Sequence, residues 1–458
     1  MQPPHTSASS GVGPHRASLD VVEAGAVEFL ALFAGEPRGF WGGPDGWVAW
    51  AGASACFEVS GGKGDRFDRI REGSRRVLGE MGWAARGAGS EPSPRFFGGF
   101  AFADTDPTET AWSDFPSAAF HLPRILLEGN DAEARLVSYE DEPGLARVAA
   151  ILAAGVRRGE RPSLPNRGDF VPGSSAEDGS DAPPRNRWRT GIEGILAAIA
   201  EGRVQKAVLA RFLDLSLARP ANPLASLRFL REENRRAHVF YLEPRPGRVF
   251  LGAAPELLAR LRGDSFEATA VAGSVPRESD GEADRARVRQ LLESAKDRAE
   301  HALTAEEMVE VLGPFLEEME VEAEPRVLSL SRIHHLETTI RGRAHEGEDI
   351  LSLVEALHPT PAVCGRPRGE ALSLIRGAEP FERGWYAGPV GWFDAEGDGD
   401  FVPALRSAVG SGRAWRLFAG AGIVAGSDPD GEWEETALKF EPALRALRAG
   451  ASDSTEGV

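Results

Sequence analysis

Between Phe418 and Phe440 the chain reads FAGAGIVAGSDPDGEWEETALKF. A strand-like run ends in a glycine-rich turn, and the turn opens a helix carrying Glu432, Glu435 and Lys439. Spaced three and then four residues apart, these side chains share one helix face. A surface helix has no need of two carboxylates and an ammonium stacked in this way. A site that holds a divalent cation together with an anionic substrate does.

The remaining composition narrows the classes of partner. The 458 residues suffice for two or three ordinary domains or one large two-lobed body, and 42% hydrophobic content supports a substantial core. Seventy acidic against 52 basic side chains give a formal net charge of −18. That balance argues against nucleic acid or an anionic membrane surface as the main partner, because both reward clustered Lys and Arg. It leaves room for a small anion, whose pocket can oppose the global sign. Cys56 and Cys364 could form one bridge, but no disulfide framework is implied, and a reduced cytoplasmic setting is the simplest expectation. No apolar run reaches membrane-spanning length. Residues 1–20 lack the apolar stretch of a secretory signal and read as a disordered tail.

Along the chain, residues 21–158 alternate short apolar runs with Gly-rich turns, with a helix over 65–83. Residues 159–187 are rich in Pro, Gly, Ser and charge and read as a linker or long surface loop. Residues 188–448 form the richest region, and 449–458 a C-terminal tail. Within that region helices are expected over 188–202 and 223–234. The stretch 282–312 reads as the longest helix, with Val288, Leu291, Leu292, Ala295, Ala302 and Leu303 on one side. Strands running in meanders, not in strict alternation with helices, imply an α+β fold with large antiparallel sheets.

Several motif-like patterns fail on inspection. Gly420, Gly422 and Gly426 are spaced GxGxxxG with no βαβ unit around them, unlike a dinucleotide loop. Two acidic turns, around Asp394 and Asp428, imitate calcium loops, but Leu405 and Ala437 stand where the closing acid is needed. Asp428 and Asp430 suit the turn and N-terminus of the last helix instead. His334 and His335 are adjacent, so on a regular element they point apart and do not pair on a metal. Cys364 reads as a small buried hydrophobe.

Other residues carry more. Asp297, Glu300 and His301 fall at i, i+3 and i+4, and this face could meet the Glu432/Glu435 face to make an oxygen-rich site suited to magnesium. The alternative is a solvated helix surface. Lys206, in VQKAVLARF, either faces water from an edge strand or points inward, where burial would make it a usable base. Glu256, in LGAAPELLARL, either opens a helix or is a partly buried acid held protonated. Arg406 sits in a strand pattern and is a candidate carboxylate receptor or a sheet-face ion pair.

The segments QKAVLAR, LGAAPELL, AVAGSVPR, SAKDRAEH, HHL, LHPTPAVCG, WYAGPVGW, ALRSA and AGAGIVAGSDPDGEWEETALK occur in that order. Together they resemble the chorismate-utilising enzymes: isochorismate synthases, salicylate synthases, and the large subunits of anthranilate and aminodeoxychorismate synthases. The resemblance covers roughly residues 188–445 and is looser before them. It implies two α/β halves with large antiparallel sheets in a layered sandwich, the active site in the cleft between, and an N-terminal part that joins the same body. It implies a magnesium ion held by Glu300 and Glu435, with Asp297 and Glu432 behind them or acting through water. Arg406 and Lys439 would hold substrate carboxylates, and Gly273, Ser274, Gly420 and Gly422 would offer backbone contacts. His335, Thr360 and Tyr386 would line the pocket.

Within the family, members that use water as nucleophile carry a lysine at the position of Lys206, whereas ammonia users have another residue and an amidotransferase partner. The resemblance therefore implies an isochorismate synthase that binds chorismate and needs no amidotransferase. Lys206 would activate water for attack at C2, and Glu256 would protonate the departing C4 hydroxyl. Salicylate synthases share Lys206 and go on to eliminate pyruvate; Ser274 leans towards the isochorismate group. A monomer serving menaquinone or siderophore synthesis is the family expectation. Cys364 departs from the small residue usual at its place.

Overall fold

The computed structural model describes residues 15–17, 25–60, 62, 64–83, 93–130, 133–138, 148, 152 and 185–452. Two large sheets dominate them, and their strands are rich in the β-branched, aromatic and small apolar residues that suit a sheet covered on both faces. Strand Lys206–Ser216 is the extreme case, buried without a break from Lys206 to Phe212.

The first sheet has eleven strands. In spatial order they are His15–Ala17, Ala134–Ser138, Ile125–Gly129, Gly46–Ala51, Arg38–Gly43, His238–Arg245, Arg248–Ala254, Ser407–Ser411, Ala414–Ile423, Lys206–Ser216 and Gly365–Arg366. The second has ten. It runs Leu316–Val321, Ile333–Ala344, Ser265–Pro276, Ala259–Arg262, Gly399–Pro403, Pro389–Asp394, Arg95–Phe100, Ala118–Leu122 and Ala55–Val59, with Arg326–Ser329 also paired to Ile333–Ala344. Every pairing among the described strands is antiparallel.

The sheets face one another across an aromatic core. Trp50 of the first lies 6.0 Å from Phe97 of the second, and Phe250 of the first meets Trp112 at 5.3 Å. A second cluster covers the outer face of the first sheet, where Leu227 and Leu230 of helix Pro223–Glu233 and Ala443 and Leu447 of helix Pro429–Ser452 pack on Tyr241, Leu251 and Leu417. Helices Arg66–Glu80, Ala295–Leu312 and Ile350–Leu357 pack against strands of the second sheet. The α+β layered sandwich expected from the sequence is therefore present. Its sheets do not divide by sequence region: Arg38–Gly43 pairs with His238–Arg245 in one, and Arg95–Phe100 with Pro389–Asp394 in the other.

Two crossings position the site. The chain leaves the first sheet after Ala254 and enters the second at Ala259, and it returns between Pro403 and Ser407. The strands on either side are paired, Arg248–Ala254 with Ser407–Ser411 and Ala259–Arg262 with Gly399–Pro403, so the crossings run side by side.

Several expectations need correction. The stretch 282–312 is two helices, Gly281–Glu293 and Ala295–Leu312, broken at Ser294, whose extended backbone (ψ 112°) and hydroxyl cap the second. With the phase reset, the buried face of that second helix is His301, Thr304, Met308 and Leu312, while Ala302 is exposed. His15–Ala17, placed in the tail by sequence, is an edge strand. The last helix continues to Ser452, and helix Arg185–Ala200 begins inside the expected 159–187 linker, the rest of which lies outside the described residues. No helix among the described residues is long and apolar enough to cross a membrane. Both cysteines are free.

Phe100 is fully buried in the second sheet, stacked on Phe67 at 4.0 Å and edge-on to Phe120 at 5.2 Å. Phe100→Ala should lower unfolding stability by about 3–5 kcal/mol, the usual cost of emptying such a site. A denaturant midpoint unchanged from wild type would refute this role.

Candidate active site

At the crossings the two sheets part around a cavity of about 670 Å³, its open mouth included. Lys206, first residue of its strand, is 1% exposed and reaches the cavity wall. Its ammonium lies 3.0 Å from Glu300 Oε1 and donates to Thr304 Oγ1 at 3.3 Å. Thr304 gives its own proton to the Glu300 carbonyl one turn back, which leaves a lone pair for the lysine. Lys206 is thus the inward lysine, not the solvent-facing one.

Gly422, on the neighbouring strand opposite Val208, makes this pair possible. A Cβ there would stand 2.1 Å from Glu300 Oε1 and 2.9 Å from Lys206 Cε. A Cβ on Gly420 would come within 3.0 Å of the Tyr386 hydroxyl, and the Gly420 carbonyl accepts from Lys439 Nζ at 3.0 Å. Tyr386 stacks on Phe418 at 5.1 Å, and burial holds its hydroxyl protonated well above neutral pH.

Glu256 lies in the first crossing, in a bend and not at a helix start. It is 5% exposed. Burial pushes its pKa up to about 8, against the pull of Lys206, Lys439 and Arg406, so at pH 7 it carries a proton. Arg406 lies in the return crossing. The sequence placed it inside a strand, but its φ of +52° shows a break between strands, a conformation that costs a non-glycine residue about 1–3 kcal/mol. The kink turns the guanidinium into the cavity, where Nη2 donates to His335 Nε2 at 2.9 Å.

Arg406 can only donate, so His335 Nε2 is unprotonated and Nδ1 carries the hydrogen. That nitrogen faces Ser274 Oγ at 2.9 Å and the Gly273 carbonyl at 3.2 Å. Burial and the adjacent Arg406 charge hold His335 neutral, well below the ordinary imidazole range. The register shift at Gly273 (φ +74°) sets Ser274 opposite His335. As expected for adjacent residues, His334 turns the other way, to Ser329 and Asp284.

On the last helix Glu435 contacts Lys439 at 2.5 Å, and Glu432 contacts Lys296 at 2.7 Å. Burial opposes ionisation of Glu435, but Lys439, Lys296 and Arg406 together hold it below the usual carboxylate range. Burial and the Glu435 charge push Glu432 upward. Glu300, Glu435 and Lys439 line the cavity, and Asp297 and Glu432 are not among its lining residues. Asp297 closes on Gly273, where a Cβ would meet its own at 3.0 Å, and burial pushes its carboxyl up. Thr360 does not line the cavity: it is buried, and its hydroxyl has no hydrogen-bond partner among the described residues. Cys364 is buried, its thiol pushed up to about 12, consistent with an inert hydrophobe.

Sequence reasoning missed Lys296 and Thr304. Both are one turn from Glu300, and the spacing that singled out Asp297 would have found them. It also missed Arg211, whose guanidinium lies 3.7 Å from the Trp433 ring centre, donates to Thr436 at 2.7 Å, and so fixes the last helix against strand Lys206–Ser216.

Fold and cavity together define an enzyme site in which cations ring the space for a small polyanion. The chain belongs to the chorismate binding enzyme family, whose profile it matches over residues 16–448. It is 36% identical over 417 residues to the salicylate biosynthesis isochorismate synthase of Pseudomonas aeruginosa, covering 90% of this chain and 84% of that protein. It is 30% identical over 440 residues to the isochorismate synthase MenF of Bacillus subtilis, covering 90% and 88%. The structure aligns with that of MenF, the menaquinone-specific isochorismate synthase of Escherichia coli, with a TM-score of 0.73 at 27% identity, over 95% of this chain and 94% of the other.

The described residues gather no group of three or more His, Cys, Asp or Glu side chains poised as a metal-ligand set. The donor chemistry nonetheless fits a hard cation. Glu300 and Glu435 offer carboxylate oxygens to one cavity, and magnesium is commonly held by one or two carboxylates, with water and substrate oxygens completing its shell.

Gly422→Ala should leave the fold intact and cut chorismate turnover roughly 100-fold, because the methyl displaces Glu300 and Lys206 together. Turnover within a few-fold of wild type would show that the pair is not needed in this position.

Proposed function

We propose that the chain is an isochorismate synthase that converts chorismate to isochorismate. The observation carrying this reading is that one cavity holds a buried lysine, Lys206, and a buried carboxylic acid, Glu256, that is neutral at pH 7. One group can take a proton and the other can give one, which is what exchange of a ring hydroxyl by water requires.

Lys206 rests as an ammonium on Glu300 and first gives up a proton to solvent; its neutral Nζ then removes a proton from water as the water oxygen bonds to ring C2. The ring double bonds shift, the C4–O bond breaks, and Glu256 gives its proton to the departing hydroxyl, which leaves as water. One water enters and one leaves, and proton exchange with solvent restores both residues. Thr304 aims the lysine, and the Arg406–His335–Ser274 chain holds a guanidinium ready for a substrate carboxylate. Lys439 supplies a second cation at the same cavity. Glu300 and Glu435 would hold magnesium, which when bound offsets charge on the ring carboxylate.

A second reading, in which pyruvate elimination follows to give salicylate, draws support from the relative named for salicylate biosynthesis. The products distinguish the two. Purified protein with chorismate and magnesium, and without ammonia, should accumulate isochorismate on chromatography; stoichiometric pyruvate would select the second reading, and strict ammonia dependence would exclude both. Lys206→Ala should reduce turnover roughly 10²–10⁴-fold with the fold retained, and near-normal turnover would remove Lys206 as the base.

Because Glu256 acts as an acid, kcat should fall as pH rises through about 8, and Glu256→Gln should be nearly inactive at every pH. A profile that declines identically in an active Glu256→Gln variant would assign the proton to another group. Glu435→Gln should raise the magnesium concentration needed for half-maximal rate; an unchanged requirement would count against its role as a ligand.

A further inference from the structure

A second cavity, about 720 Å³ with its mouth, lies against the first, and Arg383 lines both. The partition between them is the buried pair Arg383–Glu379. Arg383 Nε donates to Glu379 Oε2 at 2.8 Å and Nη2 to Oε1 at 2.5 Å. The same guanidinium caps the carbonyls of Val363 at 2.7 Å and Val208 at 2.8 Å, while Glu379 also accepts from the Ala210 amide. The wall is therefore satisfied internally and leaves little charge for a ligand to meet.

Beyond it the chamber is largely apolar, with Phe102, Leu372, Ile375 and Phe381 among its walls. Its other acid, Glu382, is occupied by the Thr108 amide and hydroxyl and the Glu109 amide. One cation at the chamber remains available: Arg376, in the last turn of helix Arg368–Ala378, is exposed and makes no hydrogen bond or ion pair to any described residue. An apolar chamber with a single available guanidinium selects a compact hydrocarbon ring bearing one carboxylate. A second carboxylate would lie among Glu379 and Glu382 with no cation of its own.

The chamber is also placed to influence the active cavity. Gly384 lies on its wall, and Tyr386, two residues on, lines the active cavity. The segment has little slack: Gly384 has φ +52°, and a Cβ there would stand 2.2 Å from the Trp112 ring. We propose that this chamber is an effector site for a small cyclic monocarboxylate of the benzoate class, coupled to the active cavity through Arg383 and the segment from Gly384 to Tyr386. The inference does not depend on which product the enzyme releases.

Crystals of the full chain soaked in 4-bromobenzoate would locate the ligand by the anomalous signal of bromine. In parallel, chorismate consumption would be followed against benzoate concentration for wild type, Arg376→Ala and Thr105→Trp. Arg376 and Thr105 are exposed, so neither change threatens the core; the second narrows the chamber's mouth. The expected result is bromine between Phe102 and Ile375 with the carboxylate towards Arg376, and a benzoate-dependent change in kcat. The concentration needed should rise roughly tenfold or more in both variants, as loss of a charge-assisted bond or of access requires. Bromine found only beside Lys206 and Arg406, or simple competition of equal potency in all three proteins, would overturn the proposal. Bromine in the chamber with no change in turnover would overturn its role as an effector site.

Discussion

The contact between Lys206 and Glu300 ties the molecule together at its most demanding point. A lysine 1% exposed at the head of a buried strand is tolerable only beside an opposite charge and a hydrogen-bond acceptor, and the helix against the second sheet supplies both, Glu300 and Thr304. Gly422 must lack a side chain for this contact to exist. One ion pair thereby fixes the strand head, the helix phase and the identity of the residue between them. The same logic recurs nearby, where Glu435 rests on Lys439 and Glu432 on Lys296. The site is a mosaic of alternating charges, so an incoming anion can exchange partners with it instead of meeting bare buried charges.

The two side-by-side crossings give this mosaic its chemistry. A residue in a regular strand faces one side of one sheet. Glu256 and Arg406 lie where the chain passes between sheets, and both reach the space that the sheets enclose. The strain at Arg406 is held by His335, whose tautomer is fixed in turn by Ser274 and the Gly273 carbonyl. Arg211 does comparable work for the last helix, packed between Trp433 and Phe440 and bonded to Thr436.

Much of this was legible in the chain. The spacing of Glu432, Glu435 and Lys439 marked the charged helix face, and the apolar neighbours of Lys206 allowed an inward lysine. Meandering strands indicated antiparallel sheets. What escaped was non-local. Arg406 looked like a strand residue because FVPALRSA is apolar on both sides, and only the tertiary crossing breaks the strand there. The stretch 282–312 kept a helical rhythm across Ser294, so local periodicity concealed a boundary that hydroxyl capping creates. Thr360 lies in a segment that does reach the cavity, at Ala362 and Val363, but two residues too early. The Arg383–Glu379 partition, although local in sequence, takes its meaning from cavities assembled by distant segments.

The weaving of early strands into both sheets bears on how the chain is made. Arg38–Gly43 pairs early with Gly46–Ala51 but finds its second partner only when His238–Arg245 exists, and Arg95–Phe100, paired with Ala118–Leu122, waits for Pro389–Asp394 on its other edge. Neither sheet can close while the ribosome is still translating the C-terminal region. The early strands leave the exit tunnel with long unpaired edges and aromatic faces such as Phe96, Phe97 and Phe100 exposed. Pairings this distant in sequence fold slowly and are open to misassociation in the interval. The architecture that lets one chain enclose the site from both sides therefore leaves the nascent protein's early strands half-paired until its last third has been made.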